Sequence, residues 1–408
     1  MHSKRVLFIS HDANRAGSQL LLLQLIKLLK AQGISSHLLL CDGGDLVEDF
    51  KAVTSCTLLE SPPSSPLLSK IKKGVEKIPF LRLPSAGTNA KVHLRLETEL
   101  SQLNIGLVFV NSVANAAFYQ QNLVFLHALP VVLFAHELEM SVATYTAPES
   151  LRFLLQKCDH LIAVSKAVAD FYIRDYGYPT SRVSTFTLIN SGEILNNLAS
   201  LDPHYTHPAL PTEADAIIIG GCGNAEWRKG NDIFNLIARQ VIETMPTRPI
   251  YFVWVGAGPM HAFYEQIKFD IERFGLSRQI ILIPPTPEAL NIMNRFDLFL
   301  LSSREDPYPL VVLEAALLQK PIICFEKAGG APELVEQDAG EVVGYLDVAA
   351  ASQAIITLIN DPVLRKKKGK AAHHKVLERH NTEQSIQKIL TIIHDLMPVP
   401  VSENVPLA

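Results

Sequence analysis

The sequence predicts an α/β protein built as two parallel-sheet units, and three observations carry that prediction. The chain has 408 residues, more than one hydrophobic core usually holds, so two domains of roughly 200 residues each are expected. Apolar runs of strand length, such as 5–10 (RVLFIS), 131–135 (VVLFA) and 216–220 (AIIIG), alternate with longer stretches of helical period. Polar residues and glycines gather where those runs end, and in open α/β sheets ligands bind outside the carboxyl ends of the strands.

Composition narrows the class further. A hydrophobic fraction of 48% with 19% charged residues describes a compact globular chain. A net charge of −4 argues against nucleic acid as a partner. Cys41, Cys56, Cys158, Cys222 and Cys324 form no C-x-x-C pair and read as buried thiols in a reducing compartment. The apolar run Val6–Ile9 is too short for a signal peptide, and no window approaches 18 apolar residues, so the expected location is cytoplasmic.

In the first half, strand 5–10 runs into the turn 11–18, and a Leu-rich helix follows from about Gln19 to Gln32, closed by Gly33. A strand, a glycine-bearing turn and a helix start make a place where backbone N–H groups can meet phosphate. Strands are expected at 38–41 and 53–59. The segment 67–83 (LLSKIKKGVEKIPFLRL) sets Lys70, Lys72, Lys73, Lys77 and Arg82 against Glu76 alone. Such a segment suits peripheral contact with an anionic membrane or an acidic acceptor, and its composition equally fits a solvated insertion. A strand at 107–110, a helix at 114–127 and strand 131–135 come next, the last ending at His136-Glu137, where a histidine meets the ligand edge of the sheet. Strand 160–164 leads to Ser165 as a helix N-cap, strand 183–189 ends at Asn190-Ser191-Gly192, and prolines 203, 208 and 211 mark a linker.

The second half restarts the pattern. Strand 216–220 is followed by the glycine-rich turn 221–230 (GCGNAEWRKG) and a helix from about Asn231. Arg228 supplies a planar fork and Lys229 a point charge, so together they suit a diphosphate at the Gly223 turn. Strands 251–255 and 280–283 follow, with Thr286 expected to cap the next helix beside Glu288. Strand 298–301 (LFLL) breaks into Ser302-Ser303-Arg304-Glu305-Asp306, and a helix starts near Pro309 and runs to about Gln319 with Glu314 in its early turns. Two acids there, with seven residues between Asp306 and Glu314, suit the hydroxyls of a ligand. Strand 321–325 leads to Gly329-Gly330. From Val348 the chain reads as helical, with Lys366-Lys367-Lys368 on a solvated face and an apolar-periodic helix at 383–396.

The segment Asp306 to Glu314 resembles the E-x7-E signature of retaining glycosyltransferases of sequence family 4, which have the GT-B fold. Arg228-Lys229-Gly230 and Gly329-Gly330-Ala331-Pro332-Glu333 are similar to two further elements of that family. The resemblance implies a GT-B fold of two Rossmann-like domains with parallel sheets facing across a cleft. Residues 1–205 would form the acceptor-side domain, 206–382 the nucleotide-sugar domain, and 383–408 a helix crossing back to the first domain with its tail. It implies transfer of a sugar from a nucleoside diphosphate sugar to a glycan, lipid or other hydroxyl acceptor, with retention of configuration and with no cofactor. The chain contains no D-x-D, and the cation pair stands in for a divalent metal, so no metal is expected.

By the same resemblance, Arg228 and Lys229 stabilise the departing diphosphate, Glu314 holds ribose hydroxyls, Asp306 holds donor-sugar hydroxyls and His136 contacts the sugar. Gly17, Ser18, Gly223, Gly329 and Gly330 approach the donor. The first acidic position is Asp306 where the family has Glu, and Glu305 precedes it, so either carboxylate fits. Two alternatives share the scaffold: a catalytically inactive protein that binds a nucleotide or a partner, and a nucleotide-sugar epimerase.

Overall fold

The computed structural model describes residues 4–59, 90–185, 195–196, 198–199, 201–202, 205–380 and 382–398. The basic segment 67–83 and the turn Asn190-Ser191-Gly192 lie outside the described residues. Two parallel sheets carry the fold, as the alternating pattern predicts. The first holds β1 (Arg5–Ser10), β2 (Ser36–Leu40), β3 (Ser55–Leu58), β4 (Ile105–Asn111), β5 (Val131–Ala135), β6 (His160–Ala163) and β7 (Val183–Thr185) in the order β3-β2-β1-β4-β5-β6-β7. The second holds β8 (Ile217–Cys222), β9 (Ile250–Val255), β10 (Ile280–Ile283), β11 (Leu298–Leu301), β12 (Ile322–Phe325) and β13 (Gly340–Val343) in the order β10-β9-β8-β11-β12-β13.

Both orders reverse direction once, at β1/β4 in the first sheet and at β8/β11 in the second. The loops leaving those strands therefore diverge and open a crevice at each switch point. Parallel strands with helices on both faces must be apolar throughout rather than alternating, and every residue of β5, β11 and β12 is buried. Aromatic contacts tie neighbouring strands: Phe109 lies 4.9 Å from Phe8 and 6.0 Å from Phe134 between ring centres. In the second sheet Phe234, on helix Asn231–Thr244, packs edge-on against Phe252 and Trp254.

The chain divides into two compact units. One comprises Met1–Val164, Ala169–Ile189 and Thr382–Ala408, the other Ser165–Val168 and Asn190–Asn381. The last helix, Thr382–Leu396, belongs to the first unit, where it buries Ile386, Ile389, Leu390 and Ile393 along one face.

Several elements differ from the sequence expectation. The strand expected at 53–59 is present as β3 but starts only at Ser55, because Val53 ends helix Val47–Val53, which buries Phe50. The helix expected at 114–127 is a short helix, Ala116–Asn122, between two 3-10 turns; Asn122 turns its amide back onto Phe118 O and the chain leaves the helix at Leu123. Thr286 does not cap the following helix, which begins at Ala289; its Oγ1 accepts the Glu288 N–H just before it. β13 went unread, since four residues beginning Gly340-Glu341 carry little strand signal.

Lys368 corrects the reading of a solvated lysine run. It is buried on helix Pro362–Arg379, donates to Gln337 O and Gly340 O at 2.8 Å, and pairs with Glu341 at 3.0 Å. Only Cys158 and Cys324 are fully buried, whereas Cys41, Cys56 and Cys222 are half-buried, and all five thiols are free. Among the described residues no helix is long and apolar enough to cross a membrane.

Candidate functional site

In the second unit, the turns leaving β8 and β11 meet at the switch point. The first closes in a 3-10 turn, Trp227–Lys229, and Gly230 then adopts φ +67° to start helix Asn231–Thr244. A side chain at Gly230 would be strained by that φ, and its Cβ would stand 2.0 Å from Ser302 O, so glycine allows the two turns to touch. Three contacts then join them. Ser302 Oγ donates to Lys229 O at 3.1 Å, the Arg304 N–H donates to Arg228 O at 2.8 Å, and Arg228 Nη1 donates to Glu305 O at 3.1 Å.

Backbone contact of this kind sets both cations against one carboxylate. Lys229 Nζ donates to Asp306 Oδ2 at 2.6 Å, Arg228 Nη1 lies 3.4 Å from Oδ1, and Ser303 Oγ donates to Oδ2 at 3.3 Å. Asp306 is buried. Burial pushes its carboxyl up, but the charges of Lys229 and Arg228 and the hydrogen bonds from Lys229 and Ser303 outweigh it and hold it below the usual carboxylate range. Asp306 therefore stays ionised as the counter-charge of the pair.

Glu314 is different. It lies on helix Leu310–Leu317, half-buried, and among the described residues no donor or cation is bonded to its carboxylate. Burial pushes it up to about 7. A carboxyl left without a partner in such surroundings is poised to accept hydroxyl hydrogen bonds from a ligand. The preceding acid, Glu305, is also buried, and its backbone carbonyl serves Arg228.

Packing within the protein also requires glycine at 329 and 330. Gly329 has φ +132° and forms a β-bridge with Asp306; a Cβ would fall 1.8 Å from Asp306 O. A Cβ on Gly330 would meet the Tyr308 ring at 2.4 Å and Pro307 O at 2.6 Å. These glycines let the loop after β12 lie against the Asp306–Tyr308 turn. Gly223, with φ +140°, follows β8 beside the aliphatic stem of Lys229, and its carbonyl accepts Trp254 Nε1–H at 2.7 Å. Two residues that sequence reasoning missed complete the group: Arg304 forms a two-pronged ion pair with Asp232. The polar break after β11 was a signal for Arg304; Asp232 gave none beyond its place in a helix first turn.

In the first unit the corresponding edge carries His136, at the end of β5. Its Nε2 lies 2.9 Å from Asn111 Oδ1, and its ring packs on Phe134 at 4.2 Å. Asn111 Nδ2 donates to Ser18 O at 3.4 Å, so the oxygen of the amide faces the imidazole. Nε2 therefore carries the proton and Nδ1 keeps its lone pair. Burial, then the neighbouring His11, pushes His136 down to about 3, which keeps it neutral. Glu137 is buried and accepts the N–H of His136 at 3.0 Å and of Val113 at 3.4 Å.

Ser112 follows Asn111 with φ +79°. Backbone strain of about 1–3 kcal/mol at a buried non-glycine residue often accompanies a functional edge. Ser18 is tied to this group through Asn111 and donates Oγ–H to Gln19 Oε1 at 2.7 Å. Gln19 is buried and bonds Asp12 and His11. Gly17 starts helix Gly17–Ala31, whose N-terminus has no side-chain cap, and a Cβ on Gly17 would meet open space. The polar residue ending apolar β4 was the available signal for Asn111. Among the described residues no group of three or more His, Cys, Asp or Glu side chains is arranged to hold a metal ion.

Comparison with known proteins bears on both units. A model described as Glycosyltransferase Family 4 matches residues 16–186, and one described as Glycosyl transferases group 1 matches residues 216–361. The lipopolysaccharide core biosynthesis mannosyltransferase LpcC of Rhizobium leguminosarum bv. viciae is 26% identical over 183 residues, 44% of this chain and 51% of that protein. The N-acetyl-alpha-D-glucosaminyl L-malate synthase of Bacillus anthracis is 23% identical over 187 residues, 46% of this chain and 47% of that protein. The chain thus spans about half the length of these curated relatives.

Among solved structures, Anabaena HepE in complex with UDP superposes with a TM-score of 0.70 at 18% identity, covering 96% of this chain and 100% of that one. A glycosyltransferase from Rickettsia africae superposes at 0.69 and 16% identity, covering 98% and 100%. At such identities the likeness concerns the fold. With the two family models together covering well over half of its length and the whole chain sharing the fold of HepE, the chain belongs to the GT-B-fold glycosyltransferases of family 4.

Proposed function

We propose that the protein transfers a sugar from a nucleoside diphosphate sugar to a hydroxyl acceptor, a glycan or a lipid, with retention of anomeric configuration. The observation that carries this reading is the convergence of Arg228 and Lys229 on buried Asp306, with the carboxyl of Glu314, which has no partner among the described residues, on the helix that follows. Two fixed cations at a strand-end turn suit the charge that grows on a departing diphosphate. Ionised Glu314 then accepts the ribose hydroxyls.

In the transfer, the bond from the anomeric carbon to the phosphate oxygen breaks and one to the acceptor oxygen forms on the same face, the acceptor proton passing to the phosphate. Arg228 and Lys229 do the charge work for which a divalent metal would otherwise serve, and metal independence is part of the proposal. Asp306, rather than Glu305, is assigned the first acidic position, because its carboxylate is the one bonded to the cations. His136 offers Nδ1 to a sugar hydroxyl, and the uncapped helix start at Gly17 and Ser18 suits phosphate. Gly223, Gly329 and Gly330 admit the donor through backbone.

We assign residues 1–205 to the acceptor side, 206–382 to the donor side and 383–408 to the returning helix and tail. A cytoplasmic setting accords with five free thiols, and peripheral membrane contact through 67–83 rests on the composition of that segment.

HepE has been solved with UDP-glucose, so uridine nucleotides are the first donors to try. Thermal unfolding with UDP, GDP and ADP sugars, followed by release of free nucleotide, tests the reading; a rise in midpoint and turnover with one of them is expected. No shift with any would sink it. The engagement of both cations by Asp306 favours one alternative, a scaffold that binds nucleotide without transfer, and binding without turnover would select it.

A further inference from the structure

The Trp227–Gly230 turn carries both cations, and the side chain that grips it belongs to neither of the acids named above. Arg304 leaves the end of β11, but its guanidinium turns away from Asp306. It donates through Nη1 to Asp232 Oδ1 at 2.8 Å and through Nη2 to Asp232 Oδ2 at 2.7 Å. Nη1 also donates to Trp227 O at 2.9 Å, and the guanidinium carbon lies over the Trp227 ring, 4.8 Å from its centre. Its own backbone N–H holds Arg228 O at 2.8 Å, and Tyr345 OH donates to Arg304 O at 3.3 Å. The side chain is only 11% exposed.

With its charge matched by Asp232, Arg304 is not a third cation for phosphate. Its bonds go instead to the backbone on which Arg228 and Lys229 stand. That matters because a donor diphosphate must draw both cations at least partly from Asp306, and the turn then loses the contact that Asp306 provides. We infer that Arg304, braced by Asp232, is a positioning residue that keeps the Trp227–Gly230 turn in place while Arg228 and Lys229 pass from Asp306 to the diphosphate. The inference rests on the proposed function. Lysine cannot replace the arginine, since the two-pronged fork onto Asp232 and the contact with the Trp227 ring are both used.

The molecule contains its own reporter. Of its two tryptophans, Trp254 is buried and Trp227 is 48% exposed. Acrylamide quenching of the exposed fluorophore therefore reads the turn without any ligand. In Arg304→Lys and Arg304→Met, quenching of Trp227 is expected to rise about twofold, while kcat per folded molecule with the nucleotide sugar turned over in the screen above falls about 10–100-fold. KM should move by less than about threefold, because misplaced cations cost more as charge grows on the leaving group than in the bound donor. Asp232→Asn should give a smaller loss, and the Arg304→Met/Asp232→Asn pair no more than Arg304→Met alone.

Circular dichroism supplies the folded fraction, and if Arg304→Met does not fold, Arg304→Lys and Asp232→Asn carry the test. Unchanged kcat per folded molecule, or quenching unchanged from wild type, overturns the positioning role. A wild type that turns over no nucleotide sugar overturns the functional reading and the role with it; an active wild type matched by Arg304→Met overturns the role alone.

Discussion

Lys229 Nζ lies 2.6 Å from Asp306 Oδ2, a contact between residues 77 positions apart in the chain. Both side chains are largely shielded from water, and Arg228 joins them at 3.4 Å. The pair is a resting state for the cations: Asp306 offsets one of their two charges before a diphosphate arrives, and the turn that carries them is held against the turn leaving β11.

Removing either partner should therefore affect both stability and transfer. Asp306→Asn leaves two cations facing each other and is expected to cost roughly 3–5 kcal/mol, as in other broken buried pairs. Lys229→Ala should lower kcat about 10²–10³-fold. Because the Asp306 carboxyl is held below its ordinary value, its contribution to stability is present above the unfolded carboxyl pKa and is lost as pH falls through the folded one. Urea unfolding between pH 2 and 7 should show that acid loss in wild type and a shallower slope in Asp306→Asn.

Glu314 titrates in the opposite sense. Burial raises it to about 7 in the folded state, so between its ordinary value and 7 the folded protein holds a proton that the unfolded chain releases. Stability from this group falls as pH rises across that window. Glu314→Gln should stabilise the protein at pH 8 by roughly 1–3 kcal/mol and remove the slope. If the ionised carboxylate receives ribose, nucleotide affinity in wild type should strengthen as pH rises to about 7 and then level off. Calorimetry across pH 5.5–8.5 checks this, and an equally tight, equally pH-dependent Glu314→Gln would contradict it.

Gly230→Ala places a methyl group against Ser302 O in a left-handed backbone. A loss of about 2–4 kcal/mol is expected in denaturant unfolding, from strain and overpacking together. Transfer per folded molecule should fall as well, because the turn that must shift is the one that bears the cations.

His136 should show the Nε2–H tautomer, neutral from pH 5 to 8, in nitrogen–proton correlation spectra of the imidazole. Asn111→Leu removes the acceptor that selects it. A mixture of tautomers is expected in that variant, and an unchanged spectrum would mean that Asn111 does not set the ring.

Much of the architecture was legible in the residues. Val131–Ala135, Ile280–Ile283 and Leu298–Leu301 stand as strands where their apolar runs predicted them. The Arg228-Lys229-Gly230 turn and the break after Leu301 fall at strand ends as read. Hydrophobic period and turn chemistry act over a few neighbouring residues, and a sequence displays such terms directly. Weak local signals were the ones misread: β13 with its glycine and glutamate, the polar run at 120–122 that ends a helix early, and Lys368, whose charge suggested water although it is buried against the Gln337 and Gly340 carbonyls and Glu341.

The sequence by itself determined that two acids and two cations would sit at strand ends on a repeated α/β plan. Which charges meet was decided only by tertiary structure. Strand order brings β8 beside β11, Gly230 allows their turns to touch, and a separation of 77 residues becomes a 2.6 Å ion pair. That choice assigned Asp306 to the cations, left Glu314 without a partner among the described residues and raised by burial to about 7, and turned Arg304 toward Asp232. Charge–charge contact and burial depend on distance in space, which chain spacing does not encode.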